Sequence, residues 1–529
     1  MSQPSRRRFL RTVAGAGASA GLGEWAGLLP LSPASADDAK VTPDLVRFGP
    51  DIEPVVRLIE DTPRDKCVAM LVDQLKKGLP YRNFLAALYL ANIRVNFVYH
   101  TLGSLHATDQ LALDAPVQER LLPAFWALDS FKFHQDRGKK TEFAPSLKPL
   151  TGKLPSAGEA EKEFHEGMKA FDPDRAERAI AVMVRTQGAA RVIEPFWHYG
   201  ARDWDFIGHI PIWVSNVLRA LPTVGWQHAE STMRVLARTV PCEGFGKPKD
   251  QVMKTQPYAA NLERVQQSLD KLPADWAAGG ANPAVTGELL TLIREGRPNA
   301  AGERAAKHLV DGKARAGAVW DAVHLAGGEM IMCAQNTAEP LHANTAANAL
   351  HYAFQASGEP ANRLLILLQA VSWMCLYRNA MIRKKWITEP KMITELVAAE
   401  IPARQEEAIE AILAHLTFGG AQKPKSDSDQ GKDDFHQPWR QEGAQRVFAF
   451  AKRFADPLPL VRAANRLLPL KTGWDPHQVK FSVAAWENVA WVSDEWRPHM
   501  LAAASFSFSG ADAPDTDLAK QVREAVRKL

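Results

Sequence analysis

Apolar residues recur with a period close to 3.6 along almost the whole of this 529-residue chain, and this pattern limits the possible folds more than any other feature. Six stretches are predicted to be helical on this basis: 83–105, 176–187, 211–221, 316–336, 361–382 and 390–416, the last broken or kinked at Pro402. No run of alternating β-branched residues is long enough to predict a strand, and no Asn-Gly turn separates such runs. The sequence therefore predicts an all-α protein.

Helix starts and loops suggest one large domain. Asp172 and Asp475 are each followed by Pro, which is the pattern of an N-cap acid before a Pro at the first helical position. Three polar stretches are predicted to be loops: 138–158, 241–257 and 419–438. The last has almost no apolar residues to pack, so we expect a flexible insertion there. We expect a single domain of packed helical hairpins over residues 37–529.

The first 36 residues resemble an export signal. Ser5-Arg6-Arg7-Arg8-Phe9-Leu10 precedes a weakly apolar stretch, and Ala34-Ser35-Ala36 forms a small-x-small cleavage site. This arrangement predicts a cleavable twin-arginine signal over residues 1–36. The mature chain would then work in the periplasm or an equivalent compartment outside the cytoplasmic membrane, with the twin-arginine export machinery as a partner. The apolar stretch contains several Gly residues and Glu24, so we expect no membrane span.

Charge and cysteine content exclude several classes of protein. The whole chain has a formal charge of +4, and 60 basic and 59 acidic residues remain beyond residue 36. A balance so close to zero argues against a nucleic-acid-binding protein or a polybasic membrane-surface protein. The four cysteines form no CxxC pair and do not amount to a disulfide framework. Fifteen Trp and fifteen His against seven Tyr are the first indication of chemistry.

Three segments share an unusual local pattern of Trp, Asp and His. In each, a Trp-Asp pair is followed by one His three to five residues after the Trp and by a second His 18 to 22 residues later. The segments are Trp204-Asp205 with His209 and His228, Trp320-Asp321 with His324 and His342, and Trp474-Asp475 with His477 and His499. A repeated helical hairpin would give this spacing and bring His side chains to one end of a bundle.

Five polar residues form a candidate acid/base set. His342 and Thr345 are i, i+3 neighbours on one predicted helix face, and His477 and Lys480 repeat that spacing at a predicted helix start. A helix N-terminus favours neutral imidazole and attracts anions, so this pair could polarise a carbonyl or hold an enolate or phenolate oxygen. His209 lies at another predicted helix start. If they share one pocket, these residues could act as general acids and bases.

A transition-metal site is the competing interpretation. Imidazoles and carboxylates on facing helices suit Fe, Mn, Cu or Zn. The candidates are His100, His228, His324 and Glu329, and Glu194 and Glu487 are further acids on or near the relevant helices. No HExxH motif and no pair of ExxH motifs occurs, so the spacing does not specify a ligand set. The absence of CxxCH excludes a c-type haem.

Three short motifs, in order along the chain, resemble the questin oxidase-like family. They are Gly208-His209 at the start of segment 208–221, Leu341-His342-Ala-Asn-Thr345 in a helix ending Ala-Leu350, and Asp475-Pro-His477-Gln-Val-Lys480. They are similar to that family's helix with a His near its start, its Leu-His-x-x-Thr helix and its C-terminal His-x-x-Lys segment. Phe97-Val-Tyr99-His100 corresponds to an N-terminal Asn-His motif, with Tyr99 in place of the Asn.

The resemblance implies an all-helical oxidoreductase. Family members of known role catalyse Baeyer–Villiger-type oxygen insertion that opens anthraquinone-like rings in fungal polyketide pathways. It also implies NADPH, although residues 37–529 contain no nucleotide-binding glycine loop and an exported protein meets little free NADPH. We therefore expect an exported, monooxygenase-like oxidoreductase acting on a small aromatic, quinone-like or polyketide-like substrate. The Trp excess would partly line an apolar pocket around it.

Two alternatives stay open from the sequence: a His/Glu metalloprotein and a non-enzymatic helical scaffold. The scaffold interpretation predicts that His209, His342 and His477 lie far apart, each in local structural hydrogen bonds. The oxidoreductase interpretation predicts that they share one pocket with Lys480, although up to 271 positions separate them.

Overall fold

The computed structural model describes residues 41–42, 45–95, 100–116, 119–138, 147–204, 206–241, 256–334, 338–387, 391–417, 438–471 and 476–527. The predicted signal at 1–36 lies outside these residues. So does the predicted insertion at 419–438, except for Pro438, which begins a helix.

Twenty-two α-helices make up most of this described part, which confirms the all-α prediction. They are α1 (Glu53–Asp61), α2 (Cys67–Lys76), α3 (Tyr81–Val95), α4 (His100–Asp114), α5 (Leu122–Gly138), α6 (Ala160–Ala170), α7 (Pro173–Thr186), α8 (Ala189–Gly200), α9 (His209–Val224), α10 (Ala229–Thr239), α11 (Tyr258–Ser268), α12 (Pro283–Arg294), α13 (Pro298–Val310), α14 (Ala316–Cys333), α15 (Ala338–Ala356), α16 (Pro360–Arg383), α17 (Gln405–His415), α18 (Pro438–Arg453), α19 (Leu458–Lys471), α20 (Pro476–Trp491), α21 (Arg497–Ala504) and α22 (Asp517–Val526).

Short 3₁₀ turns and one small antiparallel strand pair complete the described structure. The 3₁₀ turns are Arg64–Lys66, Phe206–Gly208, Trp226–His228, Leu269–Lys271, Ile393–Glu395, Asp494–Trp496 and Ser505–Ser507. The two strands, β1 (Val41–Thr42) and β2 (Leu45–Val46), have two residues each. Such a pair adds little to the stability of a helical fold.

The predicted helix starts agree with the structure where it describes them. Oδ1 of Asp172 accepts hydrogen bonds from the backbone N–H of Asp174 at 3.1 Å and of Arg175 at 3.0 Å, and Pro173 is the first helical residue. These bonds satisfy amide groups that have no partner inside the helix. Helix α20 begins at Pro476, as predicted, although Asp475 lies outside the described residues.

One predicted helix differs from the structure. The predicted helix at 83–105 is helical wherever the structure describes it, in α3 and α4, and residues 96–99 lie outside the described part. The first half of the predicted helix at 390–416 is wrong, because residues 391–404 contain only a 3₁₀ turn. Backbone groups in this segment bond to other elements: the Ile393 amide donates to Glu329 at 3.1 Å, and the Ala399 amide donates to the Gln445 carbonyl at 3.3 Å. Tertiary contacts thus override the helical pattern.

Helix α16 lies in the core. It is the one helix in the described ranges that is long and apolar enough to cross a membrane, but most of its apolar stretch is buried by other helices. Trp373 and Tyr377 on it are fully buried. The three cysteines with described positions, Cys67, Cys333 and Cys375, are buried free thiols, in keeping with the expectation that they form no disulfide framework.

Four helices form a closed ring beside this core. Helix α4 packs against α9 and α20, and α15 packs against the same two helices from the other side. Each helix therefore has two neighbours in the ring, as in a four-helix bundle, where inward-facing side chains from several helices can meet. Three of the four helices begin with, or shortly before, a candidate histidine: α9 with His209, α15 with His342 and α20 with His477.

Candidate functional site

His209, His342 and His477 form one cluster, called here the histidine trio. One ring nitrogen from each lies within 4.8 Å of the other two. Nε2 of His342 is 2.9 Å from Nε2 of His209, and the ring centroids of His342 and His477 are 5.3 Å apart. His209 and His342 are buried, and His477 is partly exposed. The structure thus brings together three histidines that the sequence singled out on separate segments.

A strained turn sets the position of His209. The two residues before it, Ile207 and Gly208, both have left-handed backbone angles, with φ of 47° and 71°. A Cβ atom at Gly208 would overlap the hydroxyl of Tyr377 and lie 3.3 Å from Cβ of Ala346. The same hydroxyl donates a hydrogen bond of 2.9 Å to the Ile207 carbonyl. Only glycine fits this turn without displacing its neighbours, so the turn fixes the direction in which α9 starts.

The other two members of the trio also lie near helix N-termini. His477 is the second residue of α20, and His342 is the fifth residue of α15. Asn344 anchors the start of α15 by donating to the carbonyls of Gly327 in α14 and Pro340, both at 2.8 Å. The positive ends of three helix dipoles therefore lie close to the trio, where they favour neutral imidazoles and attract anions.

Lys480 and Thr345 lie one turn further along their helices and line a small cavity. Its other lining residues are Gly103, His106, Ala107, Asn216, Arg219, Asn348, Val483 and Ala484. The cavity measures about 10 Å³, close to the space needed for one water molecule. The hydroxyl of Thr345 donates to the Leu341 carbonyl at 2.9 Å. Thr345 therefore supports the backbone of α15, and catalytic roles for Thr345 and Lys480 stay predictions.

A buried ion-pair network adjoins this cavity. Glu487 in α20 pairs with Arg219 in α9 and accepts a 2.9 Å hydrogen bond from Asn348 in α15. Burial alone would raise the pKa of Glu487, but the positive charge of Arg219, helped by His106, lowers it to about 2. Burial lowers the pKa of His106. The network ties three of the four ring helices together. The spacing of residues in the sequence did not predict this network, because its members are far apart in the chain.

Two of the predicted metal candidates have other partners. His324 Nε2 lies 2.8 Å from Nδ1 of His351, and Trp320 stacks on His351 with 4.1 Å between ring centroids. Burial lowers the pKa of His324 to about 3. Glu329 binds Arg294 at 2.6 Å and also pairs with Arg378. The His324 imidazole and the Glu329 carboxylate are therefore parts of structural contacts in the core.

His228 is not brought to the trio either. His228 follows the C-terminal end of α9, whose sixteen residues place it about 24 Å from the end that carries His209. The predicted hairpin repeat is therefore wrong for this pair, because the two histidines flank one helix instead of meeting. His100 begins α4, but its side chain lies outside the described part. Within the described part, the trio is the one group of three or more possible metal ligands that lie close together.

A separate surface cleft of about 1120 Å³ has aromatic walls that include Trp197 and Tyr352. His198 lines it, but both ring nitrogens already have partners. Tyr258 bonds Nε2 at 2.9 Å, and the side-chain oxygen of Asn362 lies 3.0 Å from Nδ1. His198 thus has no nitrogen left to serve as a metal ligand. The trio is the stronger candidate site.

No protein-family profile, curated protein or solved structure matches this chain. Roles for its residues therefore have to be argued from the geometry and chemistry of the site.

Proposed function

We propose that this protein is a metal-dependent oxidoreductase whose centre is the histidine trio. The observation that carries the proposal is the approach of three ring nitrogens, from three different helices, to within 4.8 Å of one another. Three imidazoles suit zinc, copper, iron or nickel and leave coordination positions for water or substrate. A bound metal of this kind would supply Lewis-acid or redox chemistry.

The surroundings of the trio favour an anionic or polarised substrate oxygen. Three helix N-termini lie near the trio, and Lys480 is buried one turn beyond His477. These groups would stabilise a phenolate or enolate oxygen bound there. The ring of Trp213 lies 5.3 Å from that of His209 and offers a flat apolar surface to an aromatic substrate.

The proposed substrate class is aromatic, quinone-like or polyketide-like, with molecular oxygen as the oxidant. It is supported by the identity of the three histidines: each belongs to one of the three motifs that resemble the questin oxidase-like family, and all three meet at one place. Motifs that form one site fit an enzyme better than a scaffold, for which separated histidines were expected.

The first test is metal content. Protein purified after native export should contain about one equivalent of transition metal, measured by elemental analysis. The triple variant His209→Ala, His342→Ala, His477→Ala should contain almost none. His228→Ala, which removes a histidine at the other end of α9, is the matched control and should keep the metal. Substoichiometric metal in the folded wild type would contradict the proposal.

The second test concerns chemistry. Oxygen uptake with a panel of hydroxylated anthraquinones and simpler phenols should depend on the metal. Lys480→Met should lower the turnover by about 10²- to 10³-fold, the usual loss when an oxyanion-stabilising group is removed, with metal content unchanged. Turnover that survives complete removal of metal would instead favour the metal-free acid/base interpretation of the same residues.

We further propose that the chain is exported in folded form through the twin-arginine pathway. The support is the Ser5–Leu10 motif with its following cleavage site, and a metal centre loaded before export would give a reason for this route. Replacing Arg6 and Arg7 with Lys should keep the protein in the cytoplasm, as judged by fractionation and by retention of the uncleaved form. Unchanged export of that variant would contradict the pathway.

A further inference from the structure

The surface cleft that contains Trp197 and Tyr352 is large enough to hold a small molecule. Its volume of about 1120 Å³ slightly exceeds the roughly 300–1,000 Å³ of typical small-molecule sites. Its walls come from α6, α8 and α15 and from the start of α16. Tyr352 follows His342 by ten residues on α15, a rise of about 15 Å, so the cleft is distinct from the trio.

Two aromatic rings form a corner of the cleft. The rings of Trp197 and Tyr352 meet edge to face, with 5.9 Å between centroids and 76° between planes. The guanidinium of Arg219 lies 4.5 Å from the centroid of the Tyr352 ring and is itself paired with Glu487. These contacts hold the Tyr352 ring in place, so the corner is a fixed surface against which another flat ring could pack.

A chain of hydrogen bonds fixes the polar part of the cleft wall. The Glu194 carboxylate accepts hydrogen bonds from the Gly358 amide at 3.0 Å and from Nδ2 of Asn362 at 2.8 Å. The side-chain oxygen of Asn362 therefore faces His198, whose Nδ1 donates to it at 3.0 Å. Nε2 of His198 then accepts from the Tyr258 hydroxyl at 2.9 Å. Each of these four side chains has a partner, so the wall is formed before a ligand arrives.

Both cations among the described lining residues have acidic neighbours. Arg191 pairs with Glu161 at 2.5 Å, and Lys169 lies 4.0 Å from Glu166. Glu194 also lines the cleft, and both of its carboxylate oxygens already accept hydrogen bonds. A negatively charged ligand would lie close to this carboxylate, and the lining cations are already engaged. We therefore expect the cleft to prefer an uncharged compound.

One polar atom of the lining is open to a ligand. His165 is partly exposed, and its Nδ1 lies 2.9 Å from the Tyr199 hydroxyl. Nε2 of the same ring makes no hydrogen bond within the described part of the chain. Burial lowers the pKa of His165, so the ring is neutral near pH 7. A neutral imidazole can exchange one hydrogen bond with a hydroxyl or carbonyl group.

We propose that the cleft is a binding site for an uncharged aromatic compound that carries a hydroxyl or carbonyl group. The ring of the compound would pack in the corner of Trp197 and Tyr352, and its polar group would bond Nε2 of His165. This site goes beyond the proposed metal centre and does not depend on it, because no member of the trio lines the cleft.

The test uses 2-naphthol, which is uncharged near pH 7, and measures its binding by equilibrium dialysis. Wild type and the triple variant His209→Ala, His342→Ala, His477→Ala should each bind about one equivalent with equal affinity. Trp197→Ala should lower the affinity at least about tenfold, because one wall of the corner is lost. Trp496→Ala, outside the cleft, is the matched control and should keep wild-type affinity.

Two comparisons test the ligand class. His165→Phe keeps a flat ring but removes both nitrogens, so the affinity for 2-naphthol should fall about 2- to 10-fold while that for naphthalene stays unchanged. The anion 2-naphthoate should bind wild type at least about tenfold more weakly than 2-naphthol. Tighter binding of 2-naphthoate, or an equal effect of His165→Phe on 2-naphthol and naphthalene, would overturn the ligand class.

The outcomes separate this site from the metal centre. Loss of 2-naphthol binding in the triple histidine variant alone would place the ligand at the trio and overturn the cleft site. Absence of saturable binding to wild type, or unchanged affinity in Trp197→Ala, would overturn it too, without bearing on metal content. If Trp197→Ala does not fold, Ala190→Trp places a large ring in the cleft from an exposed lining position. Reduced affinity in that variant would support the site, and unchanged affinity would overturn it.

Discussion

Helix α15 carries two histidines, nine residues apart, whose surroundings differ in an instructive way. His342 belongs to the trio, and His351 pairs with His324. Both make a close contact between ring nitrogens, at 2.9 and 2.8 Å. The pair, however, has only two imidazoles, and Trp320 and Trp491 pack on His351 at centroid distances of 4.1 and 4.6 Å.

A short distance between two imidazoles is therefore not evidence of a metal site by itself. The pair is fully buried between indole rings, and burial lowers the pKa of His324 to about 3 and that of His351 well below its usual value. It is a neutral packing unit. The trio has a third nitrogen, a partly exposed member and helix N-termini beside it. The number of converging ligands and the access to them distinguish the two groups.

The largest effect on stability is expected at the pair. Trp320 is 1% exposed and covers His351, so Trp320→Ala would leave a large cavity in the core. We expect the free energy of unfolding to fall by about 3–5 kcal/mol, measured by denaturant titration of metal-free protein. The variant should still bind metal at the trio whenever it is folded. A loss below about 1 kcal/mol would show that the stack is not a core element.

Metal affinity, unlike stability, should depend on the trio histidine of α15 and not on the pair histidine of the same helix. His342→Ala removes a proposed metal ligand, and its effect should exceed the roughly 10–100-fold loss usual for outer-shell partners. His351→Phe, nine residues further along, is the matched control and should keep wild-type affinity while losing stability. Calorimetric titration with Zn²⁺ measures the affinity of both variants. Equal affinity in the two variants would remove the distinction between trio and pair.

The turn before His209 should couple stability and metal binding. Gly208→Ala forces a Cβ into a left-handed conformation and against the Tyr377 hydroxyl. We expect a loss of about 2 kcal/mol in unfolding free energy, since a left-handed L-residue alone costs about 1–2 kcal/mol. Zn²⁺ affinity should fall as well because His209 moves. Gly287→Ala, on an open helix face, is the control; it should leave Zn²⁺ affinity unchanged and, because Ala favours the helix, should raise the free energy of unfolding by about 1 kcal/mol or less.

The effect that is smallest near neutral pH is the contribution of His324 to the pH dependence of stability. An unfolded histidine titrates near pH 6.5, whereas His324 in the folded protein titrates at about 3. Between these values the unfolded state binds more protons, so stability is highest above pH 6.5 and falls as the pH is lowered. His324 should contribute about 1.4 kcal/mol per pH unit. His324→Phe should reduce the slope of unfolding free energy against pH by that amount. An unchanged slope would mean that His324 is protonated in the folded state.

Periodicity predicted the fold well, because helix interiors repeat their apolar positions whatever their partners are. It failed at 391–404, where backbone amides bond Glu329 and Gln445 instead of their own helix. Such bonds are made by residues distant in the chain, and no local pattern announces them.

Part of the candidate site could be singled out from local sequence patterns. His209 and His477 lie at predicted helix starts, and His342 has the i, i+3 spacing with Thr345 on a helix face. Which histidines meet depends on how the helices pack, so the sequence also named His228 and His324 as possible metal ligands, which the structure does not bring to the trio. Nor could it show that Glu339 is buried and paired with Lys384, since the two residues are 45 positions apart.

Helix α16 bears on the proposed export of this chain. Its 24 residues pass the length and hydropathy test for a bilayer span, and only the surrounding helices keep them from lipid. A chain threaded through a translocation pore before folding would offer this segment to the bilayer as a stop signal. A chain that folds before transport buries this helix in its core. If the chain is exported, the order of folding and transport would therefore decide whether this helix lies in the core or in the bilayer, where the other helices could not pack against it.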